Sequence, residues 1–176
     1  MSFDQQANNI SLILSDVDGV LTDGGIIFDN QGIETKRFHI RDGLGIKLWQ
    51  RAGMHFGIVT GRSSNVVQIR AKELGVKIVR QGFEEKLPVV HDIISDLTLS
   101  PDQVCYIGDD LPDIPVMQYV GLPVAVADAA IDVRNAAAYI SESRGGQGAV
   151  REVIERILRI QDRWAESLHR FSSNAP

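Results

Sequence analysis

Leu12-Ile13-Leu14-Ser15-Asp16-Val17-Asp18-Gly19-Val20-Leu21 decides how this chain is read. The apolar run predicts a buried strand over 12–17 that ends in acid. Side chains alternate along a strand, so the spacing predicts Asp16 and Asp18 on one side. Two carboxylates in one small volume repel each other strongly. A bound divalent cation is the simplest compensation. Gly19 lets the chain turn sharply as it leaves the strand.

Two later strands end in chemistry of the same kind. Phe56-Gly57-Ile58-Val59-Thr60-Gly61-Arg62 closes on a hydroxyl, a glycine and a cation. Val104-Cys105-Tyr106-Ile107-Gly108-Asp109-Asp110-Leu111-Pro112-Asp113 closes on an acidic cluster. Between them Lys86 opens a helical stretch over 84–96, with Leu87, Val90, Ile94 and Leu97 at helical spacing. Further helices are predicted over 43–52, 63–74, 112–119 and 129–136, and strands over 55–60, 76–79, 103–108, 122–126 and 138–140. Gly75 is a C-terminal stop signal for the helix before it. A long helix over 147–165 carries Val150, Val153, Ile154, Ile157 and Leu158 on its apolar side. The polar tail 166–176 is expected to fray.

Strands alternating with helices predict an α/β fold: a doubly wound, Rossmann-like parallel sheet with helices on both faces. Such sheets bind ligands at the carboxyl ends of their strands, where strand order reverses. Asp16, Thr60 and Asp109 would converge there. Residues 22–40 interrupt the alternation. Gly25-Ile26-Ile27-Phe28 and Thr35-Lys36-Arg37-Phe38 flank the turn-prone Asp29-Asn30-Gln31-Gly32, which predicts a protruding β-hairpin. Its apolar residues Ile26, Phe28, Ile33 and Phe38 need burial, which suggests assembly through the hairpin.

Length and composition bound the rest. The 176 residues suit one domain, here 1–176. A net charge of −5 without a basic run argues against nucleic acid as partner. The single cysteine, Cys105, excludes an internal disulfide and reads as a core residue. No stretch approaches a membrane span, and Met1 to Asn9 has no apolar signal core, so a cytoplasmic protein is expected. Histidines 39, 55, 91 and 169 lack ligand spacing, which argues against a zinc site.

The set Asp-x-Asp, Thr, Lys and Gly-Asp-Asp-x-x-Asp, in this order, resembles the four motifs of the haloacid dehalogenase-like phosphohydrolases. The resemblance implies Mg²⁺ held by Asp16, the backbone carbonyl of Asp18, and Asp109. It implies Asp16 as nucleophile, Asp18 as general acid and base, and Thr60, with the Gly61 amide, on a phosphoryl oxygen. Lys86 would neutralise charge, and Asp110 and Asp113 would orient metal waters or Lys86. Members of this class often insert a cap domain. Residues 22–40 are too few for a helical cap, so the site is expected to lie open.

Thr22-Asp23-Gly24, Arg41-Asp42-Gly43-x-Gly45, Thr60-Gly61-Arg62-x-Ser64 and Gly145-Gly146-Gln147-Gly148-Ala149-Val150-Arg151-Glu152 narrow the resemblance. Together they are similar to the capless 3-deoxy-D-manno-octulosonate 8-phosphate phosphatases. That family implies a phosphorylated sugar acid as substrate, a homotetramer, and a role in lipopolysaccharide precursor synthesis. Arg62 and Arg41 are candidates for the substrate carboxylate, which arginine grips bidentately. Gly145 and Gly146 are read as a loop that reaches a neighbour's site. Two other readings stay open: a broader sugar or nucleotide phosphatase, and a non-catalytic oligomerising module of the same fold. A phosphorelay receiver also uses Asp, Thr and Lys, but in a different order.

Overall fold

The computed structural model describes residues 2–172. Its elements run α1 (Phe3–Ala7), β1 (Leu12–Ser15), β2 (Ile27–Phe28), β3 (Glu34–Thr35), α2 (Ile40–Arg51), β4 (His55–Thr60) and α3 (Asn65–Leu74). They continue β5 (Ile78–Gln81), α4 (Lys86–Asp96), β6 (Val104–Gly108), α5 (Ile114–Met117), β7 (Leu122–Ala125), α6 (Ile131–Ala136), β8 (Tyr139–Ile140), α7 (Ala149–Ile160) and α8 (Trp164–Ser172).

Six strands form one parallel sheet in the order β5-β4-β1-β6-β7-β8. The chain starts in the middle, runs to one edge through β4 and β5, then crosses to β6 on the other side. The reversal therefore lies beside β1, as the alternation predicts. Every residue of β1 and β6 is buried, which requires cover on both faces of the sheet. The helices supply it in two packed groups: α2 lies along α7, with α1 and α8 on α7, while α4 packs on α5 and α5 on α6. Val150, Val153, Ile154, Ile157 and Leu158 of α7 all enter the core.

The hairpin forms as a separate two-stranded antiparallel unit, pairing Ile27 with Thr35 and Phe28 with Glu34. Of its apolar residues only Phe38 packs on the core, with Arg70 over its ring. Ile26, Ile27, Phe28 and Ile33 are each about half exposed or more.

Several elements shift: the helix read over 43–52 is Ile40–Arg51, the strand read over 76–79 is Ile78–Gln81, and the helix read over 112–119 is a tight turn at Leu111–Asp113 followed by Ile114–Met117. Three further differences are larger. The strand read over 12–17 stops at Ser15, so Asp16 and Asp18 leave the sheet on a turn. The helix read over 147–165 is two helices, broken at Asp162, whose φ is 55°. The Asp162 amide donates to the Arg159 carbonyl and the Arg163 amide to that of Leu158, a left-handed helix stop. Gly75 makes the same stop after α3, and there the residue type announces it. The tail read as frayed from 166 is helical to Ser172; 173–176 lie outside the described residues. A short helix at 3–7 also forms, started by a capping box of Ser2 and Gln5.

Ile13 lies fully buried in β1, between Phe56 of β4 and Cys105 of β6. Ile13→Ala should lower the unfolding free energy by about 2–5 kcal/mol. Urea denaturation of the variant beside the parent measures the loss.

Candidate active site

The end of β1 is tied to β6 by one last ladder bond, from the Asp16 amide to the Ile107 carbonyl, 3.1 Å. The chain then folds back on itself. The amides of Val20, Leu21 and Thr22 all donate to the Val17 carbonyl, at 2.9–3.2 Å. The buried Thr22 hydroxyl donates to that carbonyl too and accepts from the Gly19 and Gly24 amides. This knot fixes where Asp16 and Asp18 stand. Both line an open cleft of about 610 Å³ with Thr60, Gly61, Arg62, Glu84, Lys86, Asp109 and Asp110. Gly19 is required by space: a β-carbon there would run into the Asp109 carboxylate, and its φ is 88°.

At the floor of the cleft two carboxylates, Asp16 and Asp113, share one ammonium, and a third, Asp109, stands beside them. Lys86 Nζ reaches Asp16 Oδ2 at 2.8 Å and Asp113 Oδ1 at 2.7 Å, and its side chain is 4% exposed. The Val17 amide holds the other oxygen of Asp16 at 2.6 Å. Asp113 is fully enclosed and saturated with donors. Lys86 and the Tyr106 hydroxyl donate to Oδ1; the amides of Asp109 and Asp110 donate to Oδ2. Asp109 is different: its Oδ1 is buried and meets no hydrogen-bond donor.

The charge balance shows in the proton affinities. Burial, with the Asp113 carboxylate, raises the Asp16 pKa although Lys86 pulls it down. Burial disfavours the charged Lys86, yet Asp16 and Asp113 still raise its pKa above the ordinary lysine range. Burial, and then the charges of Asp16 and Asp113, push Asp109 up to about 8. Burial beside Asp113 also raises the Tyr106 phenol, which stays a hydrogen-bond donor.

The rim is built by the hairpin, which sequence reasoning did not connect to the site. Lys36 Nζ bonds Asp18 Oδ1 and lies 3.4 Å from Glu34 Oε1. Arg62 donates to Asp18 Oδ2 at 3.3 Å and to Glu34 Oε1 at 2.8 Å. The Ser64 hydroxyl bonds the other oxygen of Glu34. Ser64, Lys36 and Arg62 together hold the Glu34 carboxyl below the usual range despite its desolvation. The available signal was period two: Glu34 and Lys36 share a face of the extended chain.

Other predicted residues fall elsewhere. Asp110 lines the cleft and caps the turn at Leu111–Asp113. Arg41 is exposed on the first turn of α2 and is not among the residues lining the cleft. Gly145 and Gly146 do not line it either. They press on the back of the turn that follows β1, where a β-carbon on Gly145 would strike the Gly19 carbonyl and one on Gly146 the Thr22–Asp23 peptide. The Gly146 amide donates to Val20 there at 2.9 Å. Their small size serves contact within the chain. Asp42 holds the same region from behind, accepting the Arg151 amide at 2.8 Å near the start of α7. Cys105 is enclosed in β6, where burial pushes its thiol pKa up.

The donor set fits a hard divalent cation. Carboxylate oxygens of Asp16, Asp109 and Asp113 lie within 4.8 Å of one another. Asp109 brings an oxygen with no donor, and the cluster carries more negative charge than Lys86 offsets. The four donors on Asp113 make it the group that orients its neighbours, while Asp16 and Asp109 keep coordination capacity.

A carboxylate at the tip of the central strand, a buried lysine and an acidic cluster at the switch point of a parallel sheet fit a haloacid dehalogenase-like hydrolase. The model of that family, described as haloacid dehalogenase-like hydrolase, matches residues 76–154. By descent the chain belongs to the 3-deoxy-D-manno-octulosonate 8-phosphate phosphatase family. It is 46% identical over 159 residues to that enzyme from Yersinia pestis, covering 90% of this chain and 85% of the relative. It is 43% identical over 162 residues to the Escherichia coli K12 enzyme, covering 92% and 86%. The crystal structure of the Moraxella catarrhalis enzyme, in complex with magnesium ion, phosphate ion and KDO, matches with a TM-score of 0.94 at 40% identity, covering 96% and 97%.

The raised Asp109 pKa has a sign that can be checked. Without metal, the folded chain keeps a proton on Asp109 up to about pH 8, whereas an unperturbed aspartate gives it up near 3.8. Stability should therefore fall as pH rises between those values. Asp109→Asn removes that loss, so in chelator the variant should gain on the parent toward pH 8 and match it near pH 4. Urea midpoints across that range measure the difference.

Proposed function

We propose that this protein is a Mg²⁺-dependent phosphatase that hydrolyses 3-deoxy-D-manno-octulosonate 8-phosphate to the free sugar acid and phosphate, through an aspartyl-phosphate, in lipopolysaccharide precursor synthesis. The observation that carries the reading is Lys86 bridging Asp16 and Asp113 beside the donor-free oxygen of Asp109. Both oxygens of Asp16 are held, one by Val17 and one by Lys86, so the nucleophile is oriented before substrate arrives. Asp16 attacks phosphorus, and the bond from phosphorus to the sugar oxygen breaks. Asp18 gives its proton to that departing oxygen. In the second half Asp18 takes a proton from water, the water oxygen bonds phosphorus, and Asp16 is released. Thr60 and the Gly61 amide accommodate phosphoryl oxygens, and Lys86 offsets their charge. Asp16, the Asp18 carbonyl and Asp109 would hold Mg²⁺, which would supply Lewis-acid neutralisation of the phosphoryl group. Asp110 and Asp113 orient these groups.

Arg62 stands at the rim with its side chain 40% exposed, which suits it to the sugar carboxylate. In one chain Arg41 points to no part of this cleft, and a role for it in substrate binding requires a neighbouring subunit. We place the chain, as a single domain, in a homotetramer assembled through the hairpin; the exposed Ile26, Ile27, Phe28 and Ile33 support this. A cytoplasmic location accords with the enclosed free thiol of Cys105. No helix among the described residues is long and apolar enough to cross a membrane.

Phosphate release from a panel of sugar phosphates and nucleotide monophosphates tests the reading. The eight-carbon sugar acid phosphate should exceed the nucleotides in kcat/KM by at least about a hundredfold. Comparable values would move the assignment to a broad phosphatase. Excess chelator should abolish release, and added Mg²⁺ should restore it. Asp16→Asn should abolish turnover with its circular dichroism unchanged; retained turnover would refute the nucleophile.

A further inference from the structure

Lys36 has an environment unlike that of a hairpin residue with only a folding role. Its segment protrudes and exposes apolar side chains, yet the Lys36 side chain is only 1% exposed. It runs inward and bonds Asp18 Oδ1, with Glu34 Oε1 at 3.4 Å. Long cationic side chains at a surface ordinarily keep the charged head in water. Here the head is spent on the one carboxylate that must both give and take a proton.

We propose that Lys36 is a positioning residue for the Asp18 carboxyl, which it holds in one orientation at the cleft. Lys36 occupies Oδ1, and the guanidinium of Arg62 meets Oδ2 at 3.3 Å from a more exposed side chain. Pinned through Oδ1, the carboxyl keeps one side-chain rotamer. When the phosphorus–oxygen bond breaks, Asp18 in that orientation passes a proton to the sugar alkoxide, and in the second half it recovers one from water. Glu34 keeps Lys36 in place and is itself tied to Arg62 and Ser64, so losing Lys36 leaves Glu34 with partners.

The inference rests on Asp18 as the general acid, and the test separates the two claims. A sugar alkoxide needs a proton to leave, whereas p-nitrophenolate leaves without one. kcat/KM covers only the steps through transfer of phosphorus to Asp16, so it isolates protonation of the leaving group from the later water step. Lys36→Met should lower kcat/KM for 3-deoxy-D-manno-octulosonate 8-phosphate by about a hundredfold. For p-nitrophenyl phosphate the fall should stay under about threefold, which also shows that the variant folds. Lys36→Arg should recover part of the loss on the sugar phosphate. Asp18→Asn should show the same split between substrates. If Asp18→Asn splits them and Lys36→Met lowers both equally or neither, Lys36 is only structural and the inference is overturned. If neither variant splits them, Asp18 is not the general acid and both claims fall.

Discussion

The structure depends on a surplus of buried negative charge. Asp16, Asp109 and Asp113 converge, and Lys86, paired with Asp16 and Asp113, is the cation among them. Taking charges out of water is expensive, and a single ammonium does not offset three carboxylates. The fold divides the cost unequally. Asp113 is stabilised by four donors and serves as a fixed negative post. Asp16 shares Lys86 and one amide. Asp109 receives least, and its pKa of about 8 records the deficit. A site arranged this way is unfavourable when empty and favourable when a cation takes the place of the missing donor. That is how a fold stores binding energy for a hard metal and an anionic substrate.

The sheet makes such a cluster possible, and loops make it rigid. β1 brings Asp16 to its tip, β6 brings Asp109, and α4 brings Lys86 across. None of these elements alone dictates where Asp18 stands. That is settled by the knot on the Val17 carbonyl, by the glycines 145 and 146 pressed against its back, and by Asp42 at the start of α7. The route runs from a buried capping carboxylate, through a helix end and a glycine loop, to a catalytic turn.

Much of this was legible because it is local or periodic. The apolar runs at 12–15, 55–60 and 104–108 fixed the strands, and their acidic or hydroxylic ends fixed the floor of the cleft. Where the signal needed a third dimension it failed. Asp162 ends α7 in a left-handed conformation that glycine usually marks, so the helix appeared continuous. Gly145 and Gly146 advertised close approach, but only the structure shows that the approaching backbone belongs to the same chain. Lys36 and Glu34 carry the alternation of a charged face, yet their partners Asp18, Arg62 and Ser64 are 18 to 30 positions away. Arg41 shows the reverse case: its cationic chemistry suited the substrate, and its position on α2 leaves it outside the cleft.

The hairpin joins the two halves of the argument. It is held by a two-residue ladder, and most of its apolar side chains face solvent, so on its own chain it is among the least supported segments. It nevertheless carries Lys36, whose ammonium sits on Asp18. Ordering the hairpin and orienting the Asp18 carboxyl are therefore one event. Any surface that buries Ile26, Phe28 and Ile33 stabilises the ordered hairpin by mass action, and with it the orientation of Asp18. In a fold without a cap, apolar contact at the rim then supports the chemistry at the floor, and the ion pair between Lys36 and Asp18 transmits it.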